Sequence, residues 1–146
     1  MKWWCPSRLR VWVLRLFGAK VGTNVLIRHQ VRVLWPWKLE IGDNAWIGEG
    51  VWLLNLESIS IGPHVCLSQE AFLCTGSHDA RDEAFAYDNA PIVVESGAWV
   101  AARAMILRGV TIGPGAVVPA MSCVASNVAA TTSMGPPLDR RDRRLW

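Results

Sequence analysis

Aliphatic residues in this chain fall on a six-residue ruler. Val94, Val100, Ile106, Ile112, Val118 and Val124 stand six apart, and Ala98, Ala104, Val110, Ala116, Ser122 and Val128 each follow by four. An earlier stretch runs Val21, Ile27, Val33, Leu39, then Ile41, Ile47, Leu53, Ile59, then Ile61, Leu67, Leu73. Its phase slips by two residues at Ile41 and Ile61, so Val21-Gly22, Ile41-Gly42 and Ile61-Gly62 recur every twenty. Self-similarity at a fixed period identifies a repeat architecture ahead of any local propensity.

A hexad with one inward aliphatic and small neighbours describes a short strand and a tight turn. Three hexads close a triangular coil, and stacked coils align the aliphatics in interior columns while each strand bonds to the strands above and below. A helix would need apolar spacings of three and four, which this pattern does not sustain. An antiparallel sandwich has no reason to hold so many aliphatics on one ruler. The pattern predicts an all-β fold, a parallel β-helix. The glycines after Val21, Ile41, Ile61 and Ile112 suit turns where a residue without Cβ avoids strain.

The ruler also divides the chain. Residues 1–20 read as a helical cap, residues 21–128 as the β-helix with an interrupting loop over 75–91, and residues 129–146 as a C-terminal tail. Within the cap, Ser7 is a candidate N-cap, Leu9, Trp12, Val13, Leu16 and Phe17 form a helical apolar stripe, and Gly18 can stop the helix in a left-handed conformation. Two compatible jobs fit this helix. It can cover the open first coil, and its Trp3, Trp4, Trp12, Arg8, Arg10 and Arg15 have the chemistry for peripheral membrane contact through residues 1–17.

Composition narrows the function classes. The chain is 51% apolar, yet no apolar run is long enough to span a bilayer. The first residues lack the apolar core and cleavage site of a secretory signal, and Cys5, Cys66, Cys74 and Cys123 form no disulfide-like spacing, so a cytoplasmic setting is expected. The net charge of +3 is uneven. Residues 1–20 carry five basic and no acidic groups, whereas Val21 to Leu138 carries six basic and ten acidic ones. An acidic body argues against nucleic acid as a partner.

Of the three histidines only His78 lies in the interruption, in the run Thr75-Gly76-Ser77-His78-Asp79. His29 and His64 fall at outward hexad positions. An imidazole beside small hydroxyl residues and a carboxylate, at a repeat boundary, is placed for general-base chemistry. A γ-type carbonic anhydrase would need three histidines on one zinc ion, and the wide spacing here makes that site hard to build, so no metal is expected. Cys74 reads as a small buried hydrophobe rather than a nucleophile.

Beyond the ruler, the segments Leu14-Arg15-Leu16-Phe17-Gly18-Ala19-Lys20-Val21-Gly22, Trp46-Ile47-Gly48-Glu49-Gly50-Val51, Leu67-Ser68-Gln69 and Leu73-Cys74-Thr75-Gly76-Ser77-His78-Asp79 carry a more specific signal. With Pro36-Trp37, Pro91-Ile92-Val93 and Trp99-Val100, they resemble the hexapeptide-repeat O-acetyltransferases of exopolysaccharide synthesis. Within these the resemblance points to the WcaF group of colanic acid acetyltransferases, relatives of the galactoside and maltose acetyltransferases. It implies a left-handed β-helix, a homotrimer, and acetyl-CoA bound between subunits. It further implies an acceptor that is a sugar, a nucleotide sugar or a lipid-linked oligosaccharide, with His78 as general base. Asp79 would orient His78 or contact the acceptor, and Asn55 and Trp99 would lie near acceptor and acetyl group. Ala102, Ala120, Ala125 and Ser126 would line the CoA arm.

The chain departs from that family after the last hexads. Relatives usually place a lysine in the turn where this chain has Ala125-Ser126-Asn127-Val128, so contacts to the CoA phosphates would fall to Arg103, Arg140 or Arg141. A β-helix kept as a scaffold or binding protein is the alternative reading.

Overall fold

A computed structural model describes residues 5–133. One helix, α1 (Ser7–Leu16), precedes a left-handed parallel β-helix. The first coil is built from β1 (Lys20–Val21), β2 (Leu26–Ile27) and β3 (Arg32–Val33). The second comprises β4 (Leu39–Ile41), β5 (Trp46–Ile47) and β6 (Trp52–Leu54), and the third β7 (Ile59–Ile61), β8 (Cys66–Leu67) and β9 (Phe72–Cys74). β10 (Ile92–Val94), β11 (Trp99–Val100) and β12 (Met105–Leu107) form the fourth; β13 (Thr111–Ile112), β14 (Val117–Val118) and β15 (Cys123–Val124) form the fifth. Each coil gives one strand to each of three parallel sheets: β1-β4-β7-β10-β13 on the first face, β2-β5-β8-β11-β14 on the second, β3-β6-β9-β12-β15 on the third.

Register follows the ruler. Val21 pairs Ile41 and Ile41 pairs Ile61, twenty residues per coil, whereas Val94 pairs Ile112, eighteen apart. The phase slips lengthen the first-face strands, so that Leu39 and Ile41, and likewise Ile59 and Ile61, both point inward around an outward Glu40 or Ser60. All the ruler aliphatics are buried except Val21 and Val33, which lie half-buried in the first coil at the open end of the prism.

Two of the three corners repeat closely. Asn24, Asn44, His64, Gly97 and Gly115 stack at the first, and Gln30, Gly50, Glu70, Arg103 and Met121 at the second, all with positive φ. The glycines expected to relieve strain act differently. Gly42 has no positive φ, but a Cβ there would meet the backbone nitrogen of Pro63 at 2.5 Å. Close stacking of successive coils requires that glycine, and the left-handed residue comes two positions later.

The third corner, from the third sheet back to the first, varies. It takes residues 34–38, 55–58, 75–91 and 108–110 in successive coils. Inside it Asn55 is fully buried. Its Oδ1 accepts from the N–H groups of Leu34 (3.1 Å) and Trp35 (3.0 Å), and its Nδ2 donates to the Trp35 carbonyl (2.6 Å). Thr75, one coil on, donates to the Leu54 carbonyl and accepts from Glu57 N–H. Buried backbone groups at an irregular corner need such partners.

The docked face of α1 is not the apolar stripe. Arg10, Val11 and Leu14 are buried, while Leu9, Trp12, Leu16 and Phe17 face outward. An exposed sheet edge offers unpaired carbonyls as well as apolar column ends, and arginines satisfy them. Arg10 donates to the Ile27 carbonyl (2.8 Å), and Arg15 donates to those of Val21 and Gly22. Ser7 starts the helix rather than capping it: Pro6 occupies the cap, and the Ser7 hydroxyl accepts from Ile27 N–H. Gly18, at φ +92°, ends the helix as its sequence position implies, with Ala19 N–H donating to the Leu14 carbonyl.

Candidate active site

The long third-corner segment is an ordered arm. Asp79 N–H donates to the Ala86 carbonyl and Asp88 N–H to that of Ser77, both at 2.9 Å, which makes a short antiparallel pairing centred on His78 and Tyr87. At the base, Ala90 N–H donates to the Thr75 carbonyl, the Asn89 amide oxygen accepts from Ser77 N–H, and Arg108 pairs with Asp88. At the tip, the carboxylates of Asp79 and Asp82 each accept the N–H two residues on, which holds the turn.

His78 is exposed on this arm but held. Its Nδ1 lies 2.7 Å from the Phe85 carbonyl oxygen, and its ring stacks on Phe85 at 4.2 Å between centroids and 9° between planes. Tyr87 packs at 4.6 Å. A carbonyl can only accept, so in the neutral ring Nδ1 carries the hydrogen and Nε2 keeps its lone pair. Phe85 itself sits at φ +50°, a conformation that costs a bulky residue about 1–3 kcal/mol and persists where surrounding contacts over-determine it. Ring stacking and the carbonyl bond supply such contacts.

The sequence points to Asp79 as a group that could orient His78 or contact the acceptor, and the geometry bears on the first of these. Orienting His78 belongs to the Phe85 carbonyl, because the Asp79 carboxylate is turned to Arg81 N–H. Asn55 lies inside the corner with its amide committed to backbone groups, so it presents no surface to an acceptor. Trp99 is half-exposed on β11, on the second face, with its indole N–H donating to Ser68 Oγ at 2.8 Å. Nearby, burial pushes the Cys66 thiol up.

The expected CoA-lining residues fall in two groups. Ala102, Arg103 and Ala120 stack at the second corner of the fourth and fifth coils, where Met121 N–H donates to the Ala102 carbonyl. Arg103 is paired with Glu70, and that carboxylate holds the guanidinium in its charged form more firmly than usual. Ala125 and Ser126 follow β15 at the third corner. Ala125 shares a shallow pocket beneath the arm with Gly76, Ser77, Leu107 and Arg108. Arg140, with Arg141, lies outside the described residues. Within one chain His78, Asp79, Ala125 and Ser126 fall on the third edge, with Ala125 beside Ser77 at the base of the arm, and the second-corner groups and Trp99 fall elsewhere.

Phe85, Tyr87, Asn89 and Arg108 were not legible as site residues. The alternation Phe85-Ala86-Tyr87 opposite Ser77-His78-Asp79 was the available signal for a paired arm. His29 sits at the second corner of the first coil, bonded to Glu49 at 2.7 Å, and His64 at the first corner of the third. The three histidines thus occupy three different edges. Among the described residues no His, Cys, Asp and Glu group is arranged to hold a metal.

No protein-family model matches the chain. It is 46% identical over 130 residues to the protein named colanic acid biosynthesis acetyltransferase WcaF of Escherichia coli K12, covering 87% of this chain and 71% of that one. Among solved structures, the hexapeptide-repeat acetyltransferase VCA0836 of Vibrio cholerae in complex with acetyl-CoA is 29% identical, with a TM-score of 0.80 over 87% of this chain and 71% of its own. A galactoside acetyltransferase in complex with coenzyme A shares the fold, with a TM-score of 0.79 at 21% identity over 86% of this chain and 64% of that one.

Proposed function

The chain belongs to the WcaF family of hexapeptide-repeat acetyltransferases, and from that premise we propose that it transfers the acetyl group of acetyl-CoA to a sugar hydroxyl in polysaccharide synthesis, with His78 as general base. One observation carries the assignment of the base: the bond from His78 Nδ1–H to the Phe85 carbonyl, which leaves Nε2 able to accept a proton. Sugar hydroxyls are very weak acids, so a neutral imidazole within hydrogen-bond reach is the group the reaction needs.

In the proposed step Nε2 takes the hydroxyl proton as the oxygen attacks the thioester carbonyl carbon. The tetrahedral oxyanion is met by a backbone N–H. The carbon–sulfur bond then breaks, and His78 returns the proton to the departing CoA thiolate. Stacking on Phe85 and Tyr87 holds the ring plane throughout. Asp79 serves by fixing the turn that presents Phe85.

Acetyl-CoA fits the exposed small residues Ala120, Ala125 and Ser126, past which a long ligand can approach the backbone. The second- and third-corner groups lie on different edges of one prism, and a cyclic homotrimer would bring an edge of one copy to a different edge of the next. That is the support for a site completed between subunits, with Trp99 near the acetyl group. The four cysteines are unpaired and fit a cytoplasmic setting. No helix among the described residues is long and apolar enough to cross a membrane. The acceptor is a sugar, a nucleotide sugar or a lipid-linked oligosaccharide.

The test is CoA release from acetyl-CoA with a panel of sugar acceptors. His78→Ala should lower kcat about 10²–10⁴-fold and leave acetyl-CoA affinity within about threefold. Retained turnover would remove His78 as the base. A second reading, a scaffold without transfer, draws on Arg103 being already engaged by Glu70. Failure of the wild-type protein to bind acetyl-CoA would favour it.

A further inference from the structure

The outward face of α1 is an exposed apolar surface that the docking of the helix leaves unused. Trp12, Leu16 and Phe17 are 58%, 64% and 59% exposed, and Leu9 continues the stripe. The patch extends onto the prism, because a Cβ at Gly18 would touch the Trp37 Cβ at 3.0 Å, and Trp37 lies against Trp35 with centroids 4.8 Å apart. Both of those tryptophans are exposed. The helix does not need this face for its own docking, which uses Val11, Leu14 and the arginine bonds to carbonyls.

Charge decides the occupant. The first 39 residues contain eight Lys or Arg and no Asp or Glu, together with five of the nine tryptophans. Lys20 and Lys38 face Glu40 and Glu57. Arg15 donates to neutral carbonyls that leave its positive charge in place, and Arg8 is exposed at the start of the helix. An apolar helical face bordered by indoles and cations, with no carboxylate on the helix, matches the interfacial region of an anionic bilayer: the apolar side chains enter the acyl boundary, the indoles sit at headgroup level, and the cations meet lipid phosphates.

We propose that the α1 face formed by Leu9, Trp12, Leu16 and Phe17, with Trp35 and Trp37, docks the first-coil end of the prism on an anionic lipid surface. Capping and membrane contact then use opposite sides of one helix.

Co-sedimentation of the full chain with vesicles tests this. Vesicles of two parts phosphatidylcholine to one part phosphatidylglycerol should bind at least about tenfold more strongly than phosphatidylcholine alone, and about 0.5 M salt should remove most of that difference. The double variant Trp12→Ala, Leu16→Ala keeps helix propensity and touches no core residue. It should lose binding to the mixed vesicles by about tenfold or more, with melting temperature and oligomeric mass unchanged. Equal binding to both vesicle types would overturn the proposal, as would an unaffected variant. So would a variant whose oligomeric mass falls, since the face would then lie between copies of this chain.

Discussion

At the first and second corners every coil turns in the same way, with one left-handed residue stacked over the next. At the third corner no two successive coils agree, and the connection ranges from three residues, 108–110, to seventeen, 75–91. The two regular edges are fixed by contact with their own copies above and below, so any change is felt twice. The third edge is tied down by devices that differ from coil to coil, Asn55 bonding Leu34 and Trp35 and Thr75 bonding Leu54 and Glu57, so no single repeated contact fixes its length. A solenoid can therefore extend one edge into an arm without disturbing its core, and this one carries His78 there.

Substitutions at the edges should separate these two regimes. The largest effect is expected at a regular corner: Gly42→Ala pushes a methyl against the Pro63 backbone and should cost about 3 kcal/mol or more, read by denaturant unfolding. Gly109→Ala, at the third corner, meets only the Ala90 side chain, at 3.5 Å. It should cost about 1–2 kcal/mol, the charge for a left-handed residue alone. If the two variants were equally destabilised, the edges would not differ in the way described.

A smaller effect concerns pH at the first corner. The Asp43 carboxylate accepts from Thr23 N–H (2.6 Å) and the Thr23 hydroxyl (2.9 Å), and these bonds hold it below the usual carboxylate range. A depressed folded-state value means that the contribution is complete above the unfolded value of about 3.9 and is lost as pH falls through the folded one. The melting-temperature gap between wild type and Asp43→Asn should therefore be constant near neutrality and narrow below about pH 4. A gap that widens on acidification would contradict the assignment.

The regular edges were largely legible from the ruler, because burial in stacked coils imposes its period directly on residue type. What the ruler could not show was why Gly42 is glycine, since the steric conflict is with a backbone atom of another coil. The helix misled for a related reason. Apolar periodicity marks what a helix could bury, whereas the docked face was chosen by carbonyls that needed Arg10 and Arg15. His78 stood out by its place in the interruption. Its orienting partner did not, because a main-chain carbonyl seven residues away has no signature in residue type. Asn55 shows the converse: a polar residue near a corner looked available for an acceptor and is occupied in holding the chain's own backbone.

The central claim is that the stacked coils hold the fold and the arm on the third edge holds the chemistry. Replacing residues 76–90 with a short third-corner connection like Arg108-Gly109-Val110 tests it most directly, with unfolding and CoA release measured on the same preparation. The excised protein should unfold cooperatively within about 2 kcal/mol of wild type, because the deleted residues contribute no ruler aliphatic to the core. Acetyl transfer should drop to the uncatalysed background. Retained transfer, or a protein that no longer folds, would contradict the account.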